Sequence, residues 1–283
     1  MKVLVTGGAG KVGVWVVREL AARGHEVTAA GRTPDREVEG GRYAVLDCLD
    51  AEAVRRAVAQ HDTVVHLAAI PSPRPGMSRE LFEVNCQGSY NVFEACAEAG
   101  VKKLAVASSI NALGMYFGVK PLPVRYFPID EDHPTLCSDP YSFSKKVDEE
   151  MAEYFWEKDG ISSVSLRIPM VMAPPVDGGR LRPMRDRDAM EAFLRRNYWT
   201  WVDARDSARA FVLGVEVDYQ GPHVLFINDR VNCMARPSRE LAAMGYPDVV
   251  DWREPIEADE ALVSCRRAEA LLGWTPAFSA DGE

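Results

Sequence analysis

What this chain of 283 residues lacks narrows its function before any motif is read. No apolar run approaches the ~20 residues that a membrane-spanning helix needs. The profile is that of a soluble globular protein, 47% hydrophobic and 27% charged. The opening "MKVLVTGGAG" runs from one lysine into a short apolar strand and glycines, without an apolar signal region or a small-residue cleavage site. A cytoplasmic location is the expectation. The six cysteines form no CxxC and the five histidines do not gather around them. Neither a disulfide framework nor a metal site is indicated. There is no basic surplus either: 33 Lys and Arg stand against 42 Asp and Glu, a net charge of −9, which argues against a nucleic-acid surface. The local exception is "RLRPMRDRD", residues 180–188, with Arg180, Arg182, Arg185 and Arg187. It reads as a solvated loop or as a grip on a substrate anion.

What is present alternates. Short β-branched runs ("KVLVT", "HEVTAAG", "RYAVLD", "DTVVHLAA", "KKLAVASS", "SSVSLRI") are separated by amphipathic stretches, including a predicted helix over 79–99 and another over 140–158. That βαβα order predicts an α/β protein whose parallel sheet is covered on both faces. A Pro- and aromatic-rich stretch between 114 and 140 is too long for a simple connector and reads as a functional loop. Beyond 169 the alternation weakens. The reading is therefore a Rossmann-type, doubly wound parallel sheet over 1–168, with a smaller substrate-binding lobe over 169–283, partly intertwined with it.

The sharpest local signal is "VLVTGGAGKVG". Gly7, Gly10 and Gly13 follow a strand and open a helix, the context in which backbone N–H groups and a helix N-terminus cradle a pyrophosphate. Lys11 and Val12 lie within the same loop. After the second strand, where an acid would bind the adenosine ribose of NAD, the chain has Gly31 followed by Arg32. A guanidinium there suits a 2′-phosphate, so NADP is favoured and NAD remains possible. Asp47, after the third strand and beside Cys48, is placed to accept from the adenine amino group, and Asp50 to cap the next helix.

"PYSFSKK" puts Tyr141 and Lys145 one helical turn apart on a shared face. An ammonium below a phenol lowers a pKa that starts near ~10, which makes the pair competent to move a proton near neutral pH. Pro140 suits the first turn of that helix. A YxxxK alone is commonplace on solvated helix faces; its weight comes from what precedes it.

Taken in order, "TGGAGKVG", "DCLD", "VVHLAA", "FEVNCQGSYNVFEAC", "LAVASS", "YSFSK", "SLRIPMV" and "VDARDSARA" resemble the extended short-chain dehydrogenase/reductase family, often labelled NAD-dependent epimerase/dehydratase. The resemblance covers nearly the whole chain. It implies Ser109, Tyr141 and Lys145 as the catalytic set, with Ser109 holding the substrate oxygen. It further implies that Leu67, Ala68 and Ala69 line the cofactor, that Asn85 steadies the cofactor-side strands, that Pro169 passes the nicotinamide, and that the protein is a homodimer through helices flanking the sheet.

Departures from the family pattern narrow the chemistry. No acidic pair follows Ser109, which disfavours dehydration. Met170 stands where nucleotide-sugar epimerases carry an asparagine, and Leu113 where a tyrosine commonly precedes the glycine. Length, "ASSINALG" and "SLRI" resemble uronate and related sugar dehydrogenases more. The expected function is an NAD(P)-dependent oxidoreductase acting on a secondary alcohol or carbonyl of a small sugar-like substrate. Alternatives are an epimerase using the same residues and a non-catalytic NADP-sensing regulator, which would need only the cradle. Asp203 and Asp206 read as structural or capping acids, with Asp206 the N-cap candidate. Trp199 and Trp201 suit either a pocket wall or the core, and His66 reads as a packed histidine.

Overall fold

The computed structural model describes residues 1–120, 123–173 and 194–278. In chain order its strands are β1 (Lys2–Thr6), β2 (Glu26–Gly31), β3 (Arg42–Val45), β4 (Thr63–His66), β5 (Lys103–Ser109), β6 (Ser162–Ile168), β7 (Met170–Met172), β8 (Trp201–Asp203) and β9 (Pro222–Phe226). Its α-helices are α1 (Gly13–Ala22), α2 (Ala51–Val58), α3 (Ser78–Phe82), α4 (Gly88–Ala99), α5 (Pro140–Asp159), α6 (Ala204–Glu216), α7 (Ser238–Gly245) and α8 (Arg266–Leu272). Seven strands form one sheet in the order β3-β2-β1-β4-β5-β6-β9. Every neighbouring pair is parallel. This is the Rossmann-type doubly wound sheet that the alternation predicts, and its order reverses between β1 and β4, where such folds open a crevice at the carboxyl ends of the strands.

The period of two explains how near-continuous apolar strands feed two cores. From β1, Val3 and Val5 enter the core shared with α1 and α6, whereas Leu4 enters the one shared with α2, α4 and α5. β4 and β5 do the same: Val65 and Ala105 point one way, Val64, Leu104 and Val106 the other. A third cluster lies beyond the strand ends, where Leu113, Phe127 and Ile129 meet Tyr198, Trp199, Trp201 and Leu241. Both tryptophans are therefore core residues. Beyond residue 169, β9 pairs with β6 and α6 packs on the sheet, whereas β7 and β8 form a separate two-stranded ladder.

Two local outcomes differ from the sequence reading. The helix expected over 79–99 is broken by a π-turn at Glu83–Gln87. Within that turn Asn85 bonds to the backbone of Ile70, and Phe82 just before it is exposed. The N-cap of α6 is Asp203, which accepts from Arg205 N at 2.7 Å. Asp206 lies inside the helix instead, where its carboxylate accepts from Ala277 N and Phe278 N, both at 2.9 Å, and ties down the tail. The arginine stretch at 180–188 lies outside the described residues. Among the described residues no helix is long and apolar enough to cross a membrane.

Candidate active site

The loop between β1 and α1 is shaped by close approach of backbone. Gly7 has φ +69°, and a Cβ there would meet Ala68 N at 2.8 Å. A Cβ on Gly13 would lie 2.2 Å from the Gly7 carbonyl oxygen, so α1 can begin this close to β1 only with glycine. The loop closes with Gly10 N donating to Gly7 O at 2.9 Å. No side chain caps α1 and no acid occupies its first turn, so the positive end of its dipole faces the loop. Such a cradle fits a pyrophosphate.

A cleft of about 290 Å³ continues from it, and Gly7, Gly10, Arg32, Asp47, Cys48, Leu67, Ala68 and Ala69 all line it. Asp47 accepts from Leu49 N through Oδ1 (3.0 Å). Asp50 caps α2 as expected, accepting from Ala53 N at 3.0 Å. Burial, then the neighbouring Asp47, pushes the Cys48 thiol up to about 12, which makes it a neutral wall residue. The cleft also contains residues that the sequence reading missed: Thr33, Arg36, Tyr43, Leu46, Leu49 and Val84. Arg36 had a signal, being the second arginine in "GRTPDR", but it sits in irregular chain with no periodicity to aim it.

Other predicted residues stand around this cleft instead of on it. Lys11 is exposed at the loop and donates through Nζ to the Val171 carbonyl, joining the cradle to β7. Val12 is half-buried against the core under α1. Pro169 is buried between β6 and β7. Asn85 is fully buried behind the wall, where it accepts from Ile70 N (2.7 Å) and donates to Ile70 O (3.2 Å) and Ser144 Oγ (3.0 Å). Its amide thus pins the chain that follows β4 to α5.

The residues expected to move the proton, Ser109, Tyr141 and Lys145, stand where β5 meets α5. Asp139 caps α5 by accepting from Ser142 N at 2.9 Å, with Pro140 in the first turn. Tyr141 is 7% exposed, and its ring meets the edge of Phe117 at 5.5 Å and 87°. The aromatic loop therefore supplies a wall beside it. One turn on, the buried Lys145 donates through Nζ to the Ala107 carbonyl of β5 (2.7 Å) and to Asp148 Oδ2 (3.0 Å). Burial depresses the ammonium, but Asp148 and then Tyr141 more than compensate, so its pKa is raised and it stays charged. Ser109, two residues beyond Ala107, uses its Oγ to accept from Asn111 N at 3.1 Å. Its hydroxyl proton remains available to an oxygen in the site.

Ser108 faces the other way and donates to Glu149 Oε1 at 2.7 Å. Arg167 grips the same carboxylate through Nε and Nη2, each at 2.8 Å. His66, at the end of β4, lies 2.7 Å from Thr6 Oγ1 through Nδ1 and 3.1 Å from Ser89 Oγ through Nε2. Burial lowers it to about 3, so it is a neutral, packed histidine.

Comparison with known proteins follows the same lines. The model of the NAD-dependent epimerase/dehydratase family matches residues 3–228. L-arabinose 1-dehydrogenase (NAD(P)(+)) of Haloferax volcanii is 31% identical over 203 residues, 70% of this chain and 76% of that protein. Uronate dehydrogenase of Pseudomonas syringae pv. tomato is 26% identical over 201 residues, 70% of each chain. The crystal structure of UDP-glucose 4-epimerase from Thermotoga maritima, determined with UDP-glucose, superposes with a TM-score of 0.69 at 23% identity, over 98% of this chain and 94% of that one. Uronate dehydrogenase from Agrobacterium tumefaciens gives 0.68 at 22%, over 99% and 85%. At these identities the structural likeness concerns the fold.

Proposed function

The chain belongs to the NAD-dependent epimerase/dehydratase family, and from that membership we propose that it is a dehydrogenase or reductase acting on a secondary alcohol or carbonyl of a small sugar-like substrate. A nicotinamide cofactor, when bound, supplies the hydride acceptor or donor. Gly7, Gly10 and Gly13 with the start of α1 would hold its pyrophosphate, and Arg32, Asp47, Leu67, Ala68 and Ala69 its adenosine half. The chain's own residues handle the proton. Ser109 donates a hydrogen bond to the substrate oxygen, Tyr141 takes the hydroxyl proton or returns it, and Lys145 stabilises the phenolate. The observation that carries this reading is the Lys145 ammonium, buried yet held between the Ala107 carbonyl and Asp148 on the face of α5 that bears Tyr141.

NADP is the cofactor we favour. Arg32 and Arg36 both line the cleft beside Gly31, and no carboxylate stands at the end of β2 to repel a 2′-phosphate. A homodimer is supported by exposed aromatic side chains on adjacent helices: Phe82 of α3 stacks on Phe143 of α5 at 5.9 Å, and Tyr90 of α4 and Tyr154 of α5 are exposed as well. A cytoplasmic location suits the six unpaired cysteines.

The test is coenzyme reduction with added NADP⁺ or NAD⁺ and either L-arabinose or a uronate, the substrates for which the relatives are named. Net reduction that Tyr141→Phe abolishes while coenzyme still binds is the expected result. Full activity of that variant would remove Tyr141 from the mechanism, and sugar turnover without added coenzyme would favour an epimerase.

A further inference from the structure

Lys145 is a buried cation with a buried anion for a neighbour. Asp148 is fully enclosed and lies 3.0 Å from the ammonium through Oδ2. Nothing in the proposed reaction requires a carboxylate at this place. The other groups that face the pair are neutral or already engaged. Cys86 of the π-turn has its thiol pushed up to about 12 by burial. His66 of β4 is neutral. Ser89 of α4 donates to the Asn85 carbonyl (2.6 Å). Glu149 is bonded to Arg167 of β6 and to Ser108 of β5.

We infer that Asp148 is the positioning residue of the acid-base pair: its carboxylate holds the Lys145 ammonium below Tyr141 and sets how much of that positive charge the phenol feels. The inference rests on the reading of Tyr141 as the proton carrier. The carboxylate fixes the ammonium at 3.0 Å, and its negative charge opposes ionisation of the phenol. Asp148 thus holds the lysine in place while weakening its field at Tyr141. Removing the carboxylate raises the net charge of the cluster by one, so the phenol gives up its proton at lower pH.

The readout is the tyrosinate absorbance of the full-length protein as pH is raised, taken as the difference between each background and the same background carrying Tyr141→Phe. Asp148→Asn should lower the Tyr141 midpoint by about one pH unit, a tenfold rise in its ionisation constant. Asp148→Glu keeps the charge and should titrate near the wild type. If Asp148→Asn strands the lysine and fails to fold, the charge of Asp148 is read without the lysine: Lys145→Met with Asp148→Asn should titrate at lower pH than Lys145→Met alone. A wild-type midpoint in Asp148→Asn, or equal midpoints in those two variants, overturns the inference. The titration needs no substrate. Failure to oxidise any sugar, with the midpoints moving as stated, counts against the proposed reaction and leaves the role of Asp148 intact. Unmoved midpoints in an active enzyme remove Asp148 alone.

Discussion

Arg167 on β6 and Glu149 on α5 meet through two hydrogen bonds of 2.8 Å each, with both side chains buried. A pair of this geometry is the strong form of an ion pair, but its removal as a unit differs from its disruption. Glu149→Gln leaves the guanidinium buried without its counter-charge, and Ser108 without a charged acceptor. We expect a loss of about 3–5 kcal/mol in unfolding free energy by urea titration. The double change of Glu149→Leu and Arg167→Met should cost markedly less than that.

Gly13→Ala tests the cradle. The new methyl would sit 2.2 Å from the Gly7 oxygen and 2.7 Å from Gly8 Cα, and both are backbone atoms that no rotamer change can move. Separation of β1 from α1 should cost roughly 1–3 kcal/mol of stability and, by displacing the loop N–H groups, weaken NADP⁺ and NAD⁺ binding alike. Calorimetric titration with each coenzyme checks this, and a variant that binds both normally would show that the cradle tolerates the shift.

Much of this was legible in the sequence, for identifiable reasons. β1 and its glycine loop were readable because burial on both faces demands an unbroken apolar run and the tight turn demands glycine. Asp148 was not. "SKKVDEE" has the look of a solvated charge run, and only packing of α5 against β5 and β6 reveals that Lys145, Asp148 and Glu149 are all buried, the first two paired with each other and Glu149 with Arg167 of β6. Asp206 shows the same limit. An acid near a helix start suggests a cap, but its partners are Ala277 and Phe278, distant residues that no local rule brings near. The break at Glu83–Gln87 was hidden because an apolar repeat averaged over 79–99 does not register a single inserted residue.

Arg32→Ala bears on coenzyme choice. Arg32 is exposed at the mouth of the cleft, so its grip on a phosphate is partly screened by water. Loss of the guanidinium should weaken NADP⁺ by about tenfold, as expected for a charge-assisted hydrogen bond, with little change for NAD⁺. Dissociation constants measured side by side decide it, and an equal loss for both coenzymes would place Arg32 outside 2′-phosphate recognition. Arg36→Ala should act in the same direction, and the two changes together should bring the affinities close to each other.

His66 gives the protein an acid-sensitive term in its stability. Burial, then the Lys145 ammonium, lowers it from 6.5 to about 3 in the folded state. The unfolded chain therefore takes up a proton that the folded chain refuses. Its contribution is fully present above pH 6.5 and is lost progressively as pH falls towards 3, at up to about 1.4 kcal/mol per pH unit for one proton. His61 and His133, also lowered by burial, add to the same fall. Asp148 and Glu131 oppose it, because burial raises their carboxyls and the folded state takes up their protons first. Comparison with a variant isolates the one term. In urea titrations between pH 7 and pH 4, His66→Gln should lose stability less steeply than the wild type, by roughly one proton's share of the slope. Parallel curves would mean that His66 takes up its proton without unfolding, and that the Thr6 and Ser89 hydroxyls on either side of its ring accommodate an imidazolium.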